Sequence, residues 1–137
     1  MKRILVAIDG SEQAAAALHV SADLAERLGG ELRIVHALPR YDGAADPWFE
    51  PFVKAAEDNA RRMLDQAVSG CGLDAQKVSS QILRGSPAES VADEAERWPA
   101  DLVVVGSRGQ HAVARVLMGS VSDRLVHICS RPVLVVR

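Results

Sequence analysis

The chain has 137 residues, and its 16 Lys and Arg against 18 Asp and Glu give a formal net charge of −2. That length fits one domain, residues 1–137, able to bury roughly 68% of its unfolded surface, so no disulfide or metal is required to hold it together. The apolar share of 48% and charged share of 25% are those of an ordinary globular protein and exclude wholesale disorder. The near-neutral balance argues against nucleic-acid binding by phosphate neutralisation.

No apolar run approaches the roughly 20 residues that span a bilayer, so no membrane insertion is expected. The run Ile4 to Ile8 is too short for a signal peptide, and the expected location is the cytoplasm. Cys71 and Cys129 form no CxxC or metal pattern, and in a reducing compartment they read as two semi-buried thiols.

Strand and helix signals alternate along the chain. Arg3 to Ile8 is a short apolar run, as expected of a strand buried on both faces. Ser11 can cap a helix whose apolar positions are Ala14, Ala17, Leu18, Leu24, Ala25 and Leu28, and Gly29-Gly30 stops it. Leu32 to Leu38 is the second strand. Tyr41 to Pro51 carries Gly43, Asp46, Pro47 and Pro51 and reads as a loop. A helix is expected from about Phe52 to Val68, closed by Gly70-Cys71-Gly72, and a third strand from Val78 to Leu83. Ser86-Pro87-Ala88-Glu89 predicts a helix start with a capping box, Pro87 at the first helical position, and the helix reaches about Trp98. Asp101 to Gly106 is the fourth strand, the richest in β-branched residues and so the expected centre of the sheet. The last helix runs from about Ser120 to Cys129 and the last strand from Pro132 to Val136. The order βαβαβαβαβ implies an α/β fold: one open parallel five-stranded sheet with helices on both faces, in a single domain.

Ligands of such sheets bind beyond the carboxyl ends of strands, where the strand order switches. The loops after strands one and four therefore carry most weight. The first holds Asp9-Gly10-Ser11. The second holds Gly106, Gly109 and, nine residues later, Gly119-Ser120 at a helix start. Glycine lets backbone approach a ligand closely, and a helix N-terminus offers free N–H groups to phosphate. Arg108 and Arg115 add positive charge. Any one of these glycines alone reads rather as a strand terminator or helix cap. Together, between a buried strand and a helix, they favour a phosphate site. Asp9 reads equally as a ligand group and as a cap for the first helix. His36, without a His or Cys partner in register, reads as a satisfied semi-buried histidine, and His111 as a solvated surface residue. Four of the five aromatics, Tyr41, Trp48, Phe49 and Phe52, cluster before the second helix, either as a flap or partner surface or as packing for the helix start.

The spacing Gly106, two residues, Gly109, nine residues, Gly119-Ser120 resembles the ATP-binding motif of the universal stress protein family. The likeness covers the whole chain: Ile4 to Ser11 resembles the family's first strand and turn, Val35-His36-Ala37 the end of its second strand, Gly85-Ser86-Pro87-Ala88 its strand-three turn, and Arg131 to Val136 its ending. The resemblance implies a Rossmann-like fold of the adenine nucleotide alpha hydrolase type and an adenine-nucleotide pocket between strands one and four. Ala7, Ile8 and Asp9 would line it, with Asp9 near the ribose. Ala37 and Val105 would flank adenine, and Gly106, Arg108, Gly109, Gly119, Ser120 and Val121 would wrap ribose and phosphates. The family's side chain at Ala37 is often larger, which implies looser adenine packing. The expected ligand is ATP, or ADP or AMP, with Mg²⁺ bridging the phosphates.

Other phosphate chemistries fail on residues. There is no GxxxxGK[ST] loop, no GxGxxG after the first strand, no second acidic cluster after the third, and no GxSxG elbow. The motif contains no lysine, and Asp9 is its nearest acid, so a stress-response sensor or regulator with negligible or slow hydrolysis is expected. A family member without nucleotide, acting through protein contacts, and a slow ATPase or autokinase are the alternatives. The apolar last strand should lie at the sheet edge, and pairing with a second copy would cover it. The resemblance implies such a homodimer.

Overall fold

The structure, a computed structural model, describes residues 2–41, 47–109 and 118–137. Five strands, β1 (Arg3–Ala7), β2 (Glu31–Leu38), β3 (Val78–Arg84), β4 (Leu102–Gly106) and β5 (Val133–Val136), form one sheet in the order β3-β2-β1-β4-β5. Every pairing is parallel. The intervening helices are α1 (Glu12–Leu28), α2 (Glu50–Gly70), α3 (Pro87–Arg97) and α4 (Ser120–Ile128).

Alternation along the strands divides the core into two layers. Ile4 and Val6 of β1, Leu32 and Ile34 of β2 and Val104 of β4 pack with Ala14, Ala17 and Ala25 of α1 and Leu64 of α2. Leu5, Val35 and Val103 face the other way, onto Val91 and Ala95 of α3 and Leu125 of α4. Helices thus cover both faces, as the continuous apolarity of the strands predicts. β1 holds the middle position, and β4, expected there, lies beside it with all five residues buried. β5 is at the edge, as expected, and each of its residues is half-buried.

Three local expectations change. Helix α2 begins at Glu50, two residues before Phe52, because Pro51 occupies its first turn, where a missing N–H costs nothing. The capping box at Ser86 does not form: Ser86 is the N-cap of α3, but no side chain hydrogen-bonds there. Glu89 instead pairs with Arg124 of α4, Nε to Oε1 at 2.9 Å. Helix α1 is capped by Ser11, whose Oγ accepts from the Ala14 N–H at 3.1 Å, and not by Asp9. Asp9 Oδ1 accepts from the Ser11 N–H at 2.9 Å, one step ahead of the cap.

Asp101 ties the amino end of β1 to the turn before β4. Its Oδ2 accepts from the backbone N–H groups of Lys2 at 2.7 Å and Arg3 at 2.9 Å. These bonds, that from Lys2 foremost, hold its carboxyl below the usual range. A depressed carboxylate stabilises the fold above its unfolded pKa and loses that contribution as pH falls through the folded value. Amide exchange at Lys2 and Arg3 should therefore accelerate on acidification, relative to the centre of β1, and Asp101→Asn should show the faster exchange already at neutral pH. Equal protection in the variant at neutral pH would contradict this role.

Candidate functional site

The order β3-β2-β1-β4-β5 places the switch point between β1 and β4. From β1 the chain moves outward to β2 and β3, then returns to β4 on the other side. A cleft of ≈ 670 Å³ opens beyond the carboxyl ends of these strands, where such sheets bind ligands.

Ala7, Ile8 and Asp9 reach it from β1 and its following turn, Ala37 from β2, and Val105 and Gly106 from β4. Gly109 follows β4, and Gly119, Ser120 and Val121 open α4. The structure thus brings together ten of the eleven residues expected at a site. Arg108 is the exception: it is half-buried and does not line the cleft. The segment on which it sits is tied down on both sides. The Ser107 N–H donates to Val136 O at 2.6 Å, and Ser107 O accepts from the Gly119 N–H at 2.5 Å and from Ser122 Oγ at 2.8 Å. Arg115 and His111 lie outside the described residues, as do Gly43 and Asp46.

The same bonds fix the entry to α4. Ser122, 1% exposed, also donates to Gly119 O at 3.1 Å. No side chain caps the helix, and Gly119 at the cap has none to offer. Its opening N–H groups have no intrahelical partner, and Ser120 and Val121 face the cleft. Backbone dipoles therefore make this end of the cleft favourable to an anion.

Gly106 lines the cleft and also serves packing. A Cβ there would fall 2.8 Å from Gln13 C and 3.0 Å from Ala14 N, backbone atoms at the start of α1. The close contact of β4 with α1 is thus a second reason for glycine at this position. Gly109 differs: its Cβ would meet the Asp9 carboxylate, 2.7 Å from Oδ2. No positive φ is involved at either glycine.

Sequence reasoning missed several lining residues, among them Ala14 on α1, Val91 on α3, and Met118 and Asp123 around the start of α4. Helical periodicity marks Ala14 and Val91 only as core. His36 also lines the cleft, half-buried, with Nδ1 2.7 Å from Ile8 O. Since a carbonyl can only accept, Nδ1 carries the proton. This is the satisfied histidine that the sequence predicts, and it stitches β2 to the turn after β1. Among the described residues, Asp9 and Asp123 are the only carboxylates in the lining, and no lysine or arginine joins them. No group of three metal-ligating side chains occurs among the described residues, and no described helix is long and apolar enough to cross a membrane.

Comparison with known proteins agrees with the fold and with the family resemblance. A universal stress protein of Thermus aquaticus is 36% identical over 137 residues, covering 99% of this chain and 98% of the relative. The solved structure of the hypothetical protein MJ0577 superimposes with a TM-score of 0.85 at 24% identity, covering 98% of this chain and 94% of its own. A universal stress protein in complex with cAMP gives a TM-score of 0.78 at 22% identity, covering 99% and 97%. At those identities the two structures speak for the fold alone. The match to the universal stress protein family spans residues 1–137, and the chain belongs to that family.

Proposed function

We propose that the cleft binds an adenine nucleotide, ATP with Mg²⁺ bridging its phosphates, and that the protein is a cytoplasmic single-domain sensor or regulator of the stress response. The observation that carries this reading is the convergence of residues from the ends of β1, β2 and β4 and the start of α4 on one cleft. Ala37 and Val105 flank the base, Asp9 meets the ribose, and Ala7 and Ile8 form the wall between them. Gly106, Gly109, Gly119, Ser120 and Val121 surround ribose and phosphates, with Arg108 contributing charge from outside the lining. The structural neighbour in complex with cAMP, a relative in fold, adds support for an adenine nucleotide.

The donor set suits a metal held by phosphate oxygens. Two carboxylates, Asp9 and Asp123, stand in the lining, too few for a protein-built cage for Mg²⁺ but suited to its hydrated outer face. The charge of the metal offsets that of the phosphates where the described lining offers no cationic side chain. Hydrolysis is slow on this reading, because nothing in the described lining pairs a water-orienting base with a cation at the γ-phosphate. Turnover should fall far below the typical enzyme value of about 10 per second, and steady-state phosphate release at that value would overturn the regulator reading. Mass spectrometry of the small molecules released when the purified chain is denatured tests the binding itself. An adenine nucleotide is expected, and its absence together with no calorimetric ATP binding would favour a role through protein contacts alone.

A homodimer through β5 belongs to the same proposal. The Val103 N–H donates to Pro132 O and the Ser107 N–H to Val136 O, both toward β5. In the parallel register that pairs Val103 with Val133, the N–H groups of Leu134 and Val136 point inward to β4. Those of Val133 and Val135 point to the open edge. Proline at 135 thus removes only an outward donor, whereas proline at 134 breaks the inner ladder. Val135→Pro should give a folded monomer by light scattering and Leu134→Pro a poorly folded chain. A dimer that survives Val135→Pro would move the interface elsewhere, the exposed aromatics Tyr41, Trp48, Phe49 and Phe52 being the leading alternative.

A further inference from the structure

A second cleft, of ≈ 540 Å³, opens at the carboxyl ends of β2 and β3 against the first two turns of α3. It adjoins the first cleft, since Ala37 and Pro87 line both. Its character is different. Among the described residues, four charged side chains line it: Arg40 after β2, Arg84 at the end of β3, and Glu89 and Asp93 on α3.

Two of the four are engaged elsewhere. Arg84 Nη2 pairs with Glu57 Oε1 of α2 at 2.8 Å, and Glu89 Oε1 with Arg124 Nε of α4 at 2.9 Å. Arg40 and Asp93 have no ion pair or hydrogen bond among the described residues. They come from different elements, one on the segment leaving β2 and the other on the second turn of α3. Among the described residues, the cleft therefore presents one uncommitted cation and one uncommitted anion.

A simple anion placed there would satisfy Arg40 and be repelled by Asp93; a simple amine would meet the reverse. A ligand carrying both a carboxylate and an ammonium satisfies both, and discrimination follows from the charge left unpaired in the other cases. We propose that this cleft binds a small zwitterion of the α-amino acid class, its carboxylate on the Arg40 guanidinium and its ammonium on the Asp93 carboxylate. Both groups are exposed, so affinity is modest and salt-dependent. Gly85 lies beneath Arg40: a Cβ at this residue would sit 3.7 Å from Arg40 Nε, at a φ of +128°. The shared wall at Ala37 and Pro87 puts the bound zwitterion next to the base end of the first cleft.

The test uses the whole chain, with and without ATP. Each standard L-amino acid is screened by thermal shift, and the strongest is compared by calorimetry with its analogues lacking the amino or the carboxyl group. The intact amino acid should bind about tenfold or more tightly than either analogue, as expected for loss of one charge-assisted contact. Arg40→Gln should remove the preference over the amine, and Asp93→Asn the preference over the carboxylate. ATP affinity should stay unchanged in both variants, so failure here is distinguishable from failure of the nucleotide reading. No binding by any amino acid, or a ranking of the three ligands that both variants leave intact, would overturn the proposal.

Discussion

Gly109→Val should lower ATP affinity about hundredfold, equivalent to about 2.7 kcal/mol, while far-UV circular dichroism and the melting temperature stay near those of the parent chain. Any side chain at 109 starts with a Cβ 2.7 Å from Asp9 Oδ2, closer than such atoms pack. The carboxylate is the mobile end of its side chain, so it gives way and the backbone need not. Its other oxygen accepts from the Ser11 N–H at 2.9 Å, so displacement also loosens the turn that leads into α1. The branched side chain then occupies the cleft between Asp9 and the start of α4, where phosphate would lie. The fold is spared because Gly109 sits in a half-buried loop at the cleft rim, outside both core layers. Calorimetry on the variant checks this, and unchanged affinity would remove Gly109 and its neighbours from the site.

Arg33→Ala carries the largest expected cost in stability. Glu94 on α3 has a side chain only 3% exposed, and the Arg33 guanidinium on β2 meets it, Nη1 to Oε1 at 2.9 Å. The same guanidinium donates through Nε to Ser79 Oγ at 3.2 Å and stacks 4.7 Å from the ring centre of Trp98. Removing it strands a buried carboxylate, a change that costs about 3–5 kcal/mol where no other partner exists. Arg97 does reach Glu94 Oε2 at 3.2 Å, but from a side chain 68% exposed, which places the expected loss near the lower end, about 3 kcal/mol. For a chain of this length that is a fall of roughly 10 °C in Tm. Adding Glu94→Gln to Arg33→Ala should recover part of it, because the stranded charge goes with it. A loss below about 1 kcal/mol in denaturant melts would show that water or Arg97 already satisfies Glu94.

The legible part of this protein is what periodicity and punctuation encode. The buried strands announce a parallel sheet covered on both faces, Ser11 and Gly29 bound α1, and the glycine spacing after β4 leads to the cleft. Long-range contacts are harder to read. The sequence marks Gly106 as room for a ligand; it does line the cleft, but a Cβ there would also meet α1 backbone, a contact between residues 92 or more positions apart. It marks Ser86 and Glu89 as a capping box, whereas Arg124, 35 residues on, draws Glu89 away. Arg108 carries the right charge at the right spacing, yet it does not line the cleft. The pairing of Arg33 with Glu94 has no local signature, since β2 and α3 meet only through the crossover.

An adenine nucleotide in the cleft between β1 and β4 would perturb the backbone amides that line it. The most direct measurement is an amide-resolved NMR titration of the chain with Mg²⁺ and ATP. Shifts should concentrate at Ile8, Asp9, Ala37, Gly106, Gly109, Gly119, Ser120 and Val121, with the amino ends of the strands unmoved. Saturable binding whose shifts fall elsewhere, or no shifts at millimolar ATP, would contradict it.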